Sequence, residues 1–499
     1  MNIFPFELNL DLNRILRVLS YDPTSPMIFS SGVFLWLFLF FIVIYYGLKN
    51  KDTPRILFVT LFSYYFYYKS SGTYFFLLAI VTCSDFVIAR RIVQSKAQSA
   101  KKWFVFLSLL INLGLLAYFK YTNFFGEIIA QVTGADFEVM DIFLPVGISF
   151  FTFQSLSYTI DVYRGKIDPL NRLLDYAFYV SFFPQLVAGP IVRARDFIPQ
   201  IRQPLFVSKK MFGEGIYFII CGLFKKAIIS DYISVNFVER IFDNPMLYSG
   251  IENLMGIYGY ALQIFCDFSG YSDMAIGIAL LLGFKFPINF DSPYQSASIT
   301  EFWRRWHISL SSWLRDYLYI SLGGNRKGKW RQLINLMLTM LLGGLWHGAS
   351  LNFIVWGGMH GLGLVFHKLI MLVRGRSKGE ESSGLLRVGG ILLTFHFVCF
   401  TWVFFRNTSF DYSINMLTQI FTDFRPELFT QLVEGYWKVF LLMSLGFLLH
   451  FAPKSTEIAF KNSITRAPFL MKALILIGLI FLVIQVKSSD IQPFIYFQF

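Results

Sequence analysis

Long apolar runs separated by short polar or basic connections dominate the chain. A membrane-crossing helix needs about 20 mostly apolar residues. Stretches of that kind lie at 28–48, 103–120, 142–161, 350–373, 388–405 and 470–486. Shorter or interrupted ones lie at 55–69, 73–89, 172–191, 213–231, 252–283, 331–347 and 435–452. The pattern predicts an all-α polytopic membrane protein with about 11–13 membrane segments, the short ones tilted, re-entrant or screened by protein. We read 1–499 as one integral-membrane domain without internal repeats. Residues 1–27 lack the basic start and cleavage pattern of a signal peptide and suit an interfacial segment. Residues 374–387, opening with RGRSKGEESSG, read as a cytoplasmic linker.

The region 285–331 departs from this pattern. It is too polar for a simple span and too aromatic for a free loop. Ser298-x-x-Glu301 resembles a capping box, so a helix is expected to start near Thr300. Along it Trp303, Trp306, Leu310, Trp313 and Tyr317 recur at helical spacing, with Arg305, Ser309, Ser312 and Asp316 as a polar stripe. This predicts an amphipathic helix wedged against the bundle or dipping partway into the membrane, ended by the glycines of SLGGNRKGKWR.

Composition agrees with the pattern. Only 15% of the 499 residues are charged and 55% are hydrophobic, against about 25% charged in soluble domains. The net charge of +13 needs no nucleic-acid partner, because basic loops mark the cytoplasmic side of membrane proteins. Lys49, Lys51 and Arg55, then Arg90, Arg91, Lys96, Lys101 and Lys102, put those connections inside. The acidic stretch 121–141 and the loop near 411–434 then lie outside, as do both termini. Cys83, Cys221, Cys266 and Cys399 show no redox or metal spacing.

The candidate chemistry centres on two histidines. His347 sits in LLGGLWHGAS, within a stretch free of Asp, Glu, Lys and Arg from Gln332 to Phe366. An ionisable ring at that depth is costly and points to function. It could act as a general base toward a hydroxyl or be a histidine bonded between helices. His307, expected on one helix face with Trp303, Leu310 and Leu314, could hold a donor, orient His347, relay a proton or simply pack. His360 reads as structural. Asp267 and Asp273, in an apolar stretch, must be paired or protonated, with Arg304, Arg305 or Arg315 as candidate partners. Arg193 and Arg195, after the prolines of PQLVAGPIVRARDF, read as a solvated basic edge beside a broken helix.

WRRWHISLSSWLRDYLYISLGGNR (303–326) and GGLWHGASLNFIVWGGMHG (343–361) resemble the motifs of the membrane-bound O-acyltransferase family. QIFCDFSGYSDMAIGIALLLGF and SFFPQLVAGPIVR resemble further blocks of its bacterial branch, and the likeness covers roughly 140–405. The resemblance implies a ring of helices around a thinned centre, with a tunnel joining a cytoplasmic acyl donor to an acceptor on the other side. It puts the catalytic histidine at His347 and the second histidine at His307. Trp303, Trp306, Arg304, Arg305, Trp346, Ser350 and Asp316 follow as substrate-binding candidates. Length and C-terminal segments look most like alginate O-acetyltransferases. The expected activity is acetyl transfer from acetyl-CoA, as a substrate rather than a bound cofactor, toward an exported polysaccharide. No metal is called for, and a separate extracytoplasmic protein is expected to complete delivery. D-alanyl transfer to teichoic acid, a transporter and a non-enzymatic export scaffold are the alternatives.

Overall fold

The computed structural model describes residues 12–187, 189–373 and 383–486, and the regular structure among them is helical throughout. Most of the 374–387 linker and residues 1–11 of the interfacial segment lie outside the described residues. The remainder of that segment contains the helix Leu12–Leu19, tied down where Lys69 donates to the carbonyls of Val18, at 2.9 Å, and Ser20.

Six stretches among the described residues are long and apolar enough to cross a membrane: Asp52–Gln94, Gln98–Thr133, Gly250–Leu281, Leu351–Val373, Gly384–Arg406 and Phe469–Val486. Pro426–Gly435 with Trp437–Phe451, bent by 98°, makes a seventh if taken as one span. The other predicted segments are helical, most of them short or broken, while 331–347 lies in one unbroken helix of 19 residues, Lys329–His347. Gly32–Gly47 and Ile148–Tyr163 have 16 residues each. Leu173–Ser181 stops just before the turn that carries Pro184. Short helices are tolerated at membrane depth where surrounding protein covers their ends, and Ile148–Tyr163 is buried along nearly its whole length.

One predicted boundary is corrected. The run 103–120 does not yield to an acidic loop at 121; the helix continues to Thr133 and stops at Gly134, whose φ of 69° is left-handed. Its 36 residues make roughly 54 Å of helix, well beyond a hydrocarbon layer of about 30 Å.

Gly250–Leu281 is the central post. Its most apolar window is 89% buried in protein, against 11% for peripheral Phe469–Val486. It packs on Lys209–Leu223 through small residues: a methyl on Gly222 would lie 2.5 Å from the Gly270 carbonyl oxygen. Such residues let backbones approach where lipid gives no hydrophobic drive. Asp267 and Asp273 on this post are paired, as expected, but not with Arg304, Arg305 or Arg315. Lys226 meets Asp267 at 2.5 Å and Asp231 at 2.7 Å, and Lys225 meets Asp273 at 2.7 Å. Both lysines sit on a π-helical stretch, Phe224–Ser230, that continues the neighbouring helix. The wider turn sets adjacent lysines against aspartates spaced along the post.

Candidate active site

The 285–331 region folds as a hairpin of short helices rather than one amphipathic helix. Ser298 caps its start, accepting from the Glu301 backbone N–H at 3.2 Å, while the Glu301 carboxylate accepts from Ala297 N–H at 2.8 Å. The helix Ile299–Arg305 ends at Trp306. His307 adopts φ 41°, ψ 56°, and a second helix, Ile308–Trp313, departs from it. The left-handed conformation costs a non-glycine residue about 1–2 kcal/mol. His307 is therefore the apex of a kink, which replaces the shared helix face expected with Trp303, Leu310 and Leu314.

Asn289 holds that apex. Its side-chain oxygen lies 3.2 Å from His307 Nδ1 and accepts from the Ser309 N–H at 3.1 Å and hydroxyl at 2.9 Å. Its backbone carbonyl accepts from Ile308 N–H at 2.9 Å. The His307 ring is fully buried, edge-on to Phe268 at 4.6 Å between centroids and 6.5 Å from Trp346.

The hairpin's two legs are fixed at their other ends. Glu301 meets Arg387 at 3.2 Å, and Thr300 bonds His367 at 2.8 Å. Tyr317 donates to Asp161 at 2.7 Å, and Arg164 donates to the Asp316 carbonyl at 3.1 Å. Arg193 is not a solvated edge: it is buried against the second leg, 3.5 Å from Asp316 and with its guanidinium 4.6 Å from the Tyr317 ring centre. Arg195 stays exposed beside Asp196.

His347 is the last residue of the helix Lys329–His347, and Gly348 continues in extended backbone. The last carbonyls of a helix have no partner within it. Here Tyr121 donates to Leu345 O at 2.7 Å, and the Lys120 ammonium donates to Trp346 O at 2.8 Å and His347 O at 2.7 Å. The next helix, Leu351–Val373, crosses at glycines: a methyl on Gly344 would fall 2.2 Å from Phe353 O, and one on Gly357 would fall 2.4 Å from Met340 O. The His347 ring lies in an aromatic cage, 4.9 Å from Trp346, 5.0 Å from Trp356 and 5.2 Å from Phe405 between centroids. A recess opens beside it, lined by Lys120, the turn 144–150, Val187, Trp346 and His347.

The structure brings His307, Trp346 and His347 together, with the Trp346 indole adjacent to both imidazoles. The other candidates lie further out. Trp303 packs on Trp356 and His360 at 5.8 and 5.1 Å. Trp306 is buried against Phe290 and Trp402. Arg305 pairs with Glu301 at 2.9 Å, and Asp316 pairs with Arg315 at 2.8 Å. Arg304 is exposed. The Ser350 hydroxyl accepts from the Asn352 N–H at 3.2 Å and helps start its helix. His360 bonds Thr401 at 3.0 Å, in keeping with its structural reading. Lys120, Trp356 and Asn289 were missed. Lys120 carried a usable signal, since no other Lys or Arg occurs between 103 and 133.

The buried indole nitrogens of Trp346 and Trp356 have no hydrogen-bond partner among the described residues. Buried donors nearly always find partners, so two unspent N–H groups beside an imidazole suit an oxygen of a bound molecule. An imidazole, adjacent donors and an open recess together have the parts for moving a proton off a hydroxyl while charge builds on a neighbouring oxygen.

The model of the membrane-bound O-acyltransferase family matches residues 50–410. A probable alginate O-acetylase of Pseudomonas putida is 36% identical over 500 residues, covering 95% of this chain and 100% of its own length. The peptidoglycan O-acetyltransferase of Helicobacter pylori is 34% identical over 435 residues, 81% of each chain. The teichoic acid D-alanyltransferase of Bacillus subtilis is 32% identical over 284 residues, 54% of this chain and 70% of its own.

Proposed function

The chain belongs to the membrane-bound O-acyltransferase family, and from that premise we propose that its two histidines meet two substrates arriving from opposite sides of the membrane. The protein is a membrane O-acetyltransferase acting on exported polysaccharide. Likeness to the D-alanyl branch is confined to about half of the chain, so acetyl is the favoured group.

The single observation that carries the two-sided reading is the position of Trp346 between the hairpin apex and the recess. The legs of the hairpin meet Arg387, in the first turn of the helix Gly384–Arg406 after the basic stretch 374–378, and Arg164, which opens the basic connection after Ile148–Tyr163. The positive-inside rule makes that side cytoplasmic. His307 is then the deepest point of a structure entered from the cytoplasm. The helix ending in His347 starts at the basic loop Arg326, Lys327, Lys329 and has 19 residues, so His347 stands roughly 28 Å from that face. Lys120, counted from Lys101 and Lys102, reaches a similar depth. The recess thus belongs to the acceptor side. On this reading the protein sits in the cytoplasmic (inner) membrane with both termini outside.

Acetyl-CoA is the proposed donor, its thioester reaching Trp346 from the His307 side. An acceptor hydroxyl enters the recess and gives its proton to His347 as its oxygen attacks the thioester carbonyl. The Trp346 and Trp356 N–H groups are the proposed donors to the tetrahedral oxyanion. Collapse breaks the C–S bond, and the departing thiolate takes the proton back from His347. Neutral imidazole is the competent form of such a base near pH 7. Holding both substrates in one place could supply about 7–11 kcal/mol of barrier reduction. A separate extracytoplasmic protein is the proposed carrier of the acetyl group to the final glycan.

The test is the acetyl content of the exported glycan in cells making His347→Ala or His307→Ala at wild-type abundance. The reading expects loss in the first and a strong reduction in the second. Unchanged acetylation in both would favour a non-enzymatic role in export.

A further inference from the structure

We infer that Lys120 is a positioning residue for the reaction, and that it holds His347 in place by clamping the end of its helix. The inference rests on the reading of His347 as the reacting base.

A lone cation inside a membrane helix is costly and requires a compensating role. Lys120 has a specific one. Its ammonium donates to the carbonyls of two successive residues, Trp346 at 2.8 Å and His347 at 2.7 Å. The neighbouring carbonyl of Leu345 is taken by Tyr121, the next residue of the same helix. Three carbonyls that the helix itself leaves without a partner are thus gripped by one neighbouring helix at two adjacent positions. The charge lies at the negative end of the helix dipole, where a cation is favoured.

The grip bears on catalysis because of where it falls. His347 terminates its helix, and Gly348 leaves in extended backbone, so the helix alone does not fix the last residue. End turns fray and tighten readily. Fixing both carbonyls that flank the Cα of His347 sets the direction of its side chain. Lys120 also lines the recess. An ammonium carries three N–H donors, and two are spent on the helix, which leaves one for an oxygen of the acceptor. Tyr121, by contrast, does not line the recess and supplies a neutral bond one residue earlier.

The test compares full-length wild type with K120M, K120R, Y121F and H347A in membranes, at matched abundance. The readouts are thiol release from acetyl-CoA at varied concentration and glycan acetylation in cells. Misplacing a catalytic group by about 1 Å can cost 10²-fold in rate. K120M is expected to lower the maximal rate at least about tenfold, on that ground, with the KM for acetyl-CoA within about twofold. K120R should restore most of the rate, and Y121F should lose less than K120M. Should K120M fail to accumulate, K120Q is judged by the same criteria. Wild-type maximal rate in the uncharged variant, with H347A inactive, overturns the inference alone. So does a loss that K120R cannot rescue. Activity in H347A overturns the underlying reading instead.

Discussion

The side-chain oxygen of Asn289 sits 3.2 Å from Nδ1 of His307 and also accepts from the Ser309 N–H and hydroxyl. One amide therefore fixes both the ring and the helix start that follows it. In Asn289→Ala the Ser309 N–H is left buried without an acceptor, at a cost of about 1–3 kcal/mol. We expect lower abundance and, per folded molecule, acetylation reduced at least as much as in His307→Ala. Immunoblotting beside glycan acetyl analysis measures both. Full activity per molecule in Asn289→Ala would show that the ring needs no such support.

The left-handed backbone of His307 makes a second prediction. The conformation costs an L residue about 1–2 kcal/mol and costs glycine nothing. His307→Gly should therefore be at least as stable toward heat as His307→Ala, while both lose activity. If glycine is the less stable of the two, the kink carries no strain of this kind.

Helix crossing at the His347 cage separates two nearby glycines. A methyl on Gly344 would meet Phe353 O at 2.2 Å, whereas one on Gly358 would meet a Leu341 side-chain carbon at 3.5 Å. Gly344→Ala should force the helices apart and displace His347, with activity falling by an order of magnitude or more. Gly358→Ala should be tolerated. Equal effects of the two on acetylation would remove the close crossing from the account.

The buried pair Lys226–Asp267 makes a structural prediction. Removing one partner of a buried ion pair typically costs about 3–5 kcal/mol, because the other charge stays in a poor medium. Asp267→Asn leaves Lys226 one carboxylate, that of Asp231, among the described residues and should lower the yield of folded protein. The surviving fraction should turn over at the wild-type rate, since neither residue lines the recess.

The burial of His347, its glycine neighbours and the helical class were all legible in the sequence, because apolar periodicity and the cost of a buried imidazole are local signals. The break at His307 was not. Trp303, Trp306, Leu310 and Trp313 keep helical spacing through it, and the cause, Asn289, lies 18 residues upstream with no pattern of its own. The signal of Lys120, the one cation between 103 and 133, misleads for a different reason. A basic residue after an apolar run reads as the end of a span, whereas the helix runs on to Thr133. The partners of Asp267 and Asp273 depended on a π-helical stretch whose extra residue per turn leaves no mark on hydropathy. Long-range placement, not residue chemistry, was the missing information.

The central claim is that His347 takes the acceptor's proton during acyl transfer, and the most direct measurement is thiol release from acetyl-CoA by the full-length protein with its acceptor system. At equal folded abundance, His347→Ala should release thiol no faster than membranes lacking the protein, while Gly358→Ala stays near wild type. Acceptor-dependent release by His347→Ala at the wild-type rate would contradict the account.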